Sequence, residues 1–276
     1  MISTKQIMSI ALKLSEFDTV PADSAIYVEG QKIGKILFGI DVGVPELLLA
    51  KQLGCDAAIS HHPKCAFPLI YSYKVFCRHV QQMVNAGVPQ QTAEEAIRKK
   101  MLTLEVMQHK KNWRHSLDVA RLLNMPYLNI HAPLDELGRR IMTRQIRQET
   151  SKDATVNDVV NALNKLPEFR NAVTKIKILY GAESNPAGKI QVSHAAFTNG
   201  GYEILKTYFK HGVNTVIYIH IDANPRALEQ LKADNVLGNL IVTGNIASDS
   251  VGINRFITEL EKHEISVIRL GIISPN

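Results

Sequence analysis

Short apolar runs alternate with helical periodicity from one end of the chain to the other, and this predicts an α/β protein with mostly parallel sheets. Two further observations agree. The chain has 276 residues, 45% of them hydrophobic and 21% charged, enough to bury a sizeable core as one large domain or two smaller ones. It contains 16 Gly, 11 Pro and 3 Cys, which excludes collagen-like, low-complexity and disulfide-framework classes.

The first helix is read from Ile7 to Leu14, amphipathic and interrupted by Ser9 and Lys13, so it is not a signal peptide. Lys35–Ile40 is the first strand. Pro45 then opens a helix whose Leu47, Leu48 and Leu53 share a side and which stops at Gly54. Ala57–Ser60 is the next strand. Tyr73–Asn85 reads as a helix ended by Gly87 and Pro89, and Thr92 with Glu95 reads as the capping box of another. That helical stretch breaks near Asn112 and runs to about Leu123. It inserts roughly thirty residues between two strands, a length that commonly serves as a lid or subunit contact. The later strands are Tyr127–His131, Lys175–Tyr180, Lys189–Ser193, Thr215–His220, Asn239–Thr243 and Ser266–Leu270, with a helix over Val156–Leu166. A soft boundary near residue 145 gives lobes at 1–145 and 146–276, with the C-terminal strands free to rejoin the first.

Net charge is +6, which permits attraction to nucleic acid or to phosphorylated small molecules without demanding either. The densest basic cluster, Arg98, Lys99, Lys100, Lys110, Lys111 and Arg114, is interleaved with apolar positions and reads as a solvated helix face. Cys55, Cys65 and Cys77 form no CxxC pair, so a thiolate zinc site is excluded and a reducing cytoplasm is expected. No apolar run is long enough for a membrane span, and a soluble protein is expected. The GxxxxGK(S/T) phosphate loop, the GxSxG elbow and a GxGxxG after a strand are all missing, which removes the main support for kinase-like, serine-hydrolase and dinucleotide-binding functions.

Chemistry concentrates at strand carboxyl ends, where ligand sites of open α/β sheets gather. Ser60-His61-His62-Pro63 ends the strand Ala57-Ala58-Ile59, and Pro63 biases His62 toward an extended backbone that lets the two imidazoles leave strand alternation. Paired neutral imidazoles are good ligands for first-row divalent metals, although hydrogen-bonded strand-end histidines give the same pattern. His131-Ala132-Pro133-Leu134-Asp135 follows another strand; Asp135 suits either a metal or the first turn of a helix. Asn245 and Asp249 follow Leu240-Ile241-Val242 and share a face if a helix begins there, with Asn245 serving equally as an N-cap. Thr198-Asn199-Gly200-Gly201 leads into an amphipathic helix, where exposed backbone N–H groups favour phosphate, or where glycine simply supplies a turn.

Together these residues resemble the NIF-three-like family, named after a yeast interacting factor. The resemblance rests on the strand ending in SHHP (Ser60–Pro63), the HxxxD of His131–Asp135, the ligand-x-x-x-acid pattern on Asn245 and Asp249, and the strand Gly212–His220. It implies two similar α/β lobes with the metal site at strand carboxyl ends between them. It also implies two divalent ions held by His61, His62, Asp135, Asn245 and Asp249, and a homohexameric ring. The family pattern has His where this chain has Asn245, and often Glu where it has Asp249. His220 and His131 are then alternative ligands or outer partners, whereas His194 reads as an ordinary strand-end histidine. With imidazole and oxygen ligands, zinc, manganese, iron and nickel all fit. Paired ions suit hydrolysis of a phosphorylated or nucleotide-like molecule; a non-catalytic regulatory protein is the alternative. The label GTP cyclohydrolase I type two, often attached to the family, is implied by the resemblance alone.

Overall fold

The computed structural model describes residues 1–222 and 224–275. It contains nine strands, β1 Ala25–Val28, β2 Lys35–Gly39, β3 Ala57–Ser60, β4 Tyr127–Asn129, β5 Lys177–Tyr180, β6 Ile190–Val192, β7 Thr215–Tyr218, β8 Asn239–Val242 and β9 Ser266–Leu270, among the described residues. The helices before β4 are α1 Thr4–Ser15, α2 Val44–Gln52, α3 Ala66–Tyr71, α4 Arg78–Asn85, α5 Gln90–His109 and α6 His115–Leu122. Those after it are α7 Ala132–Glu149, α8 Val156–Asn164, α9 Pro167–Arg170, α10 Gly201–Lys210, α11 Pro225–Ala233 and α12 Asn245–Glu261. The fold is α/β with mostly parallel sheets, as the alternation predicts.

The chain forms two compact units. The first comprises Met1–Val75, Leu102–Gly138 and Gly252–Ile272; the second comprises Phe76–Met101, Arg139–Val251 and Ile273–Asn276.

In the first unit the sheet order is β1-β4-β3-β2-β9. β9 returns from the end of the sequence to pair in parallel with β2, from Lys35 against Ser266 to Gly39 against Leu270. β3 (AAIS) is buried along its whole length between parallel neighbours β2 and β4, which explains a continuous apolar run in place of alternation. β1, the strand missing from the sequence reading, is antiparallel to β4 at the sheet edge. Its four residues Ala25-Ile26-Tyr27-Val28 are all only half-buried, so no periodicity marked them. Leu37, Leu47, Ala58, Leu117, Ala120 and Tyr127 belong to one core cluster, and the Tyr127 hydroxyl donates to the Val42 carbonyl at 2.5 Å. Pairing its one polar atom is what lets this ring be buried. α2 begins where Pro45 and Glu46 predict, with the Glu46 carboxylate accepting the Gly43 N–H at 2.7 Å, and it stops at Gly54 with φ +65°.

The second unit carries a sheet ordered β5-β8-β7-β6, in which β6, β7 and β8 are parallel and β5 is antiparallel. Val159, Leu163, Phe169, Ile217, Ile241 and Val251 pack in its core.

Two local expectations change. The helix expected over Tyr73–Asn85 is divided into a 3-10 turn over Ser72–Cys77 and α4, with α3 ending just before it. α5 begins at Gln90, before the expected Thr92 cap, because the Pro89 carbonyl already accepts the Ala93 N–H at 3.0 Å.

One close approach fixes how α12 and α7 cross within the first unit. A Cβ on Gly252 would lie 2.0 Å from the Leu134 carbonyl oxygen and 2.9 Å from the Gly138 nitrogen, so only glycine fits. Gly252→Ala is therefore expected to force the helices apart and to cost about 2 kcal/mol or more, read as a lowered urea midpoint. An unchanged midpoint would contradict this packing.

Candidate metal centre

In the first unit the ends of β2, β3 and β4 lie side by side, and their next residues converge. β3 ends at Ser60, whose hydroxyl donates to the His62 carbonyl at 2.7 Å and accepts the Val42 N–H at 3.1 Å. This folds His61 and His62 into a turn so that both rings leave the strand. β4 ends at Asn129, and His131 follows directly before α7. The His131 N–H donates to the Ser24 hydroxyl at 2.9 Å. The three rings form a triangle with centroid separations of 5.1 Å (His61–His62), 4.9 Å (His61–His131) and 5.4 Å (His62–His131). One ligand atom from each lies within 4.8 Å of the others.

All three Nδ1 atoms are engaged by acceptors. His61 Nδ1 donates to the Ile130 carbonyl at 3.0 Å, His62 Nδ1 to Asp41 Oδ1 at 3.0 Å, and His131 Nδ1 to Asp23 Oδ2 at 2.8 Å. A neutral imidazole that spends its proton on Nδ1 keeps a lone pair on Nε2. His61 Nε2 then faces Asp135 Oδ1 at 3.0 Å, and His131 Nε2 faces Asp135 Oδ2 at 3.5 Å. Lone pairs pointed at a carboxylate repel unless a proton or a cation stands between them. His61, His131 and Asp135 are all at most 5% exposed, so water relieves this poorly. A divalent cation relieves it well, and the donor set of imidazole nitrogen and carboxylate oxygen suits one.

The charges behave accordingly. Burial alone would lower the His131 pKa, but the carboxylates of Asp135 and Asp23 outweigh it and hold the value above that of an ordinary histidine. Asp41 is held well below the usual carboxylate range, chiefly by its hydrogen bond from His62 and, against burial, by Lys64 at 2.5 Å. Asp23 and Asp41 escaped the sequence reading because nothing in their spacing ties them to histidines more than twenty residues away.

The other named residues lie in the second unit, again beyond the ends of adjacent parallel strands. α12 begins at Asn245, and the Asn245 Nδ2 donates to Asp249 Oδ2 at 2.9 Å, one turn along the same face. The amide therefore serves the acid's carboxylate instead of capping the helix. His194, two residues past β6, places Nε2 at 4.0 Å from Asp249 Oδ1. β7 ends at Tyr218, so His220 lies beyond the strand, where Asn199 Nδ2 meets its Nδ1 at 3.1 Å. The orientation of that amide follows from Asn199 Oδ1, which accepts both Lys100 Nζ at 3.0 Å and the Gly201 N–H at 3.0 Å. Asn199 therefore donates to His220, whose own proton sits on Nε2, and burial lowers the His220 pKa.

The segment His194–Gly201, which contains Thr198–Gly201, is a strained turn. Ala195 and Phe197 have φ of +63° and +68°, Gly201 has +69°, and a Cβ on Gly200 would meet the Tyr218 hydroxyl at 2.7 Å. Side chains of α4 and α5 hold it by its carbonyls: Arg78 Nε to Ala195 at 2.7 Å, His79 Nε2 to Thr198 at 2.8 Å, Gln82 Nε2 to His194 at 2.5 Å and Lys100 Nζ to Asn199 at 2.7 Å. Lys100 thus departs from the solvated face expected of its cluster, and burial lowers its pKa. The periodic alternation of helix α5 concealed this, since a lysine at a helix edge reads the same whether or not a loop covers it.

A polyhistidine–carboxylate cluster at the strand ends of a parallel α/β sheet defines a class of candidate metal proteins. No protein-family model and no curated protein matches the chain. Among solved structures, a NIF3 superfamily protein from Sphaerobacter thermophilus is 47% identical over 98% of each chain, with a TM-score of 0.93. Reduced HcgD from Methanocaldococcus jannaschii shares 11% identity over 98% of each chain at a TM-score of 0.62. A Bacillus cereus protein related to NIF3 shares 9% over 97% of this chain and 96% of the other, at a TM-score of 0.52. The last two show a common fold. The first shows the family: the chain belongs to the NIF3 superfamily, as the motifs at Ser60, His131 and Asn245 suggested.

His79 provides a pH test of the loop scaffold. The ring is fully buried, and burial pushes its pKa down to about 4, against about 6.5 unfolded. Between these values the unfolded chain binds the extra proton, so stability is complete above about pH 6.5 and is lost as pH falls toward 4. Urea unfolding at pH 7 and pH 4.5 is expected to differ by about 2 kcal/mol more in the wild type than in His79→Gln. Equal pH sensitivity in both would show that His79 is not the titrating group.

Proposed function

We propose that the protein is a divalent-metal protein that takes up two ions per chain and hydrolyses a phosphorylated or nucleotide-like small molecule. His61, His62 and Asp135 of the first unit and Asn245 and Asp249 of the second are the proposed ligands. His131 serves as an alternative ligand or as a partner that orients them; His220, the other alternative in the family pattern, serves as an outer partner because its Nε2 carries the proton. The observation that carries the reading is the common orientation of His61, His62 and His131, each with Nδ1 committed to an acceptor and Nε2 left to bind. That arrangement fixes tautomer and ring plane in the manner of metal-binding histidines.

Bound divalent ions supply Lewis acidity, polarising a phosphoryl oxygen and easing deprotonation of water. The chain's own groups orient and hold charge. Asp41 and Asp23 keep the His62 and His131 rings in register, and Asp135 offers one carboxylate oxygen toward each of His61 and His131. Lys100 and the protonated Nε2 of His220 supply positive or donor groups suited to an anionic substrate beside Thr198, Asn199, Gly200 and Gly201. Self-association into a ring, six copies by family resemblance, and a cytoplasmic location belong to the same reading. No helix among the described residues is long and apolar enough to cross a membrane. A second reading, a metal-loaded binding or regulatory protein without turnover, is favoured by one observation: Asn245 donates to Asp249 where an imidazole would otherwise offer a ligand.

Elemental analysis of the purified protein is expected to find about two divalent ions per chain, with His61→Ala and Asp135→Ala each losing at least one. Metal content undiminished in both variants would falsify this ligand set. A panel of nucleotides and phosphoesters separates the readings, because turnover that stops on chelation and in Asp135→Ala supports the hydrolase, and retained metal with no turnover supports the binding protein. Asp41→Asn is expected to weaken metal affinity about 10–100-fold by calorimetric titration, since the acceptor that holds the His62 ring becomes neutral. Affinity within threefold of wild type would remove Asp41 from that role.

A further inference from the structure

The second unit places beside Asp249 a histidine that neither the motif pattern nor the ligand set above includes. His194 and Asp249 are almost completely buried, at 4% and 2% exposure; His194 follows β6 and Asp249 lies in the first turns of α12, which follows β8. We propose that His194 is the imidazole ligand of the cation site at Asp249, supplying the imidazole that the family pattern places at position 245 and that Asn245 lacks. This rests on the metal-protein reading above and extends it to a residue that reading leaves out.

Distance carries the argument first. His194 Nε2 and Asp249 Oδ1 are 4.0 Å apart, too far for a hydrogen bond between nitrogen and a carboxylate. Two ligand atoms bound to one ion at about 2.0–2.2 Å each lie about 3.3–3.6 Å apart in tetrahedral coordination and at most roughly 4.4 Å apart, so a single cation bridges this gap with a closing shift of about half an ångström. The carboxylate is turned for the purpose. Its Oδ2 accepts the Asn245 amide at 2.9 Å, which leaves Oδ1 on the side of His194. That hydrogen bond turns the Asn245 NH2 toward the acid, so the amide presents its donor there and must flip before its oxygen can serve as a ligand.

The alternative imidazole is His220, and its tautomer counts against it. Its Nδ1 accepts from Asn199, so its Nε2 carries a proton and is a donor. It suits an anion better than a cation. His194 is also held unusually firmly: its carbonyl accepts Gln82 Nε2 at 2.5 Å, and Ala195, next in the chain, is kept in the left-handed region at φ +63° by Arg78 bonding its carbonyl. A non-glycine residue in that region is strained, and it makes the turn directly after His194. A built, strained turn with a buried imidazole at ligand distance from a buried carboxylate is the geometry of a positioned metal ligand.

The test is zinc titration of the purified full chain by calorimetry, with elemental analysis for stoichiometry and circular dichroism for folding. His194→Ala is expected to remain folded and to lose one ion per chain, or to bind it at least tenfold more weakly. Adding Asn245→His to His194→Ala restores an imidazole beside the same carboxylate and is expected to return that ion. A His194→Ala titration that superimposes on wild type overturns the proposal. So does a loss that the double variant fails to restore, which marks His194 as a structural residue only. Wild-type protein that binds no ion at all is a different result and overturns the metal-protein reading itself; ions that His61→Ala loses and His194→Ala keeps overturn only the role given to His194.

Discussion

The candidate centre depends on three hydrogen bonds made on the outer side of three imidazole rings. The Ile130 carbonyl, Asp41 and Asp23 each accept a hydrogen bond from an Nδ1, and this turns the Nε2 atoms of His61 and His131 toward Asp135. Without them nothing would fix the tautomer of each ring or the direction of its Nε2. The three acceptors arrive from three places in the chain. Ile130 follows β4, Asp41 follows β2, and Asp23 precedes β1. The order β1-β4-β3-β2 is the arrangement that sets all of them around the end of β3. A different strand order with the same strands would bring the histidines out of the sheet with no partners to orient them.

The second unit uses the same device with amide groups. β6, β7 and β8 are parallel neighbours, so His194, His220 and Asn245 emerge beyond the same edge of the sheet. Asn199 sets the polarity there: its oxygen serves Lys100 and the Gly201 N–H, and its nitrogen is therefore left to donate to His220. A carboxamide cannot donate and accept with the same atom, and one well-populated oxygen thus decides the protonation of an imidazole on the next strand. Helices α4 and α5 contribute the rest of the scaffold through Arg78, His79, Gln82 and Lys100, four polar groups that meet carbonyls of a single loop. Buried carbonyls without donors would cost a few kcal/mol, so these side chains both satisfy the loop and fix its course.

The elements legible in the sequence are those with their signal inside a short window. β3 is a buried apolar run ending in SHHP, α2 is bounded by Pro45 and Gly54, and the family itself is legible in short contiguous motifs. β1 was not legible, because an edge strand of four half-buried residues has neither alternation nor a continuous core run. The division of Tyr73–Asn85 was also hidden, since a 3-10 turn and an α-helix share nearly the same apolar spacing over one turn.

By itself, then, the sequence determined the fold class, the family and the residue types that gather at strand ends, because these depend on local periodicity and on adjacent residues. Tertiary structure decided which residues orient them. Asp23, Asp41, Lys100 and His79 act across separations of at least twenty residues, and His194 stands beside Asp249 only because β6 and β8 flank β7. Hydrogen bonds and ligand distances are properties of space, and one chain's order does not encode which of its ten histidines will meet which carboxylate.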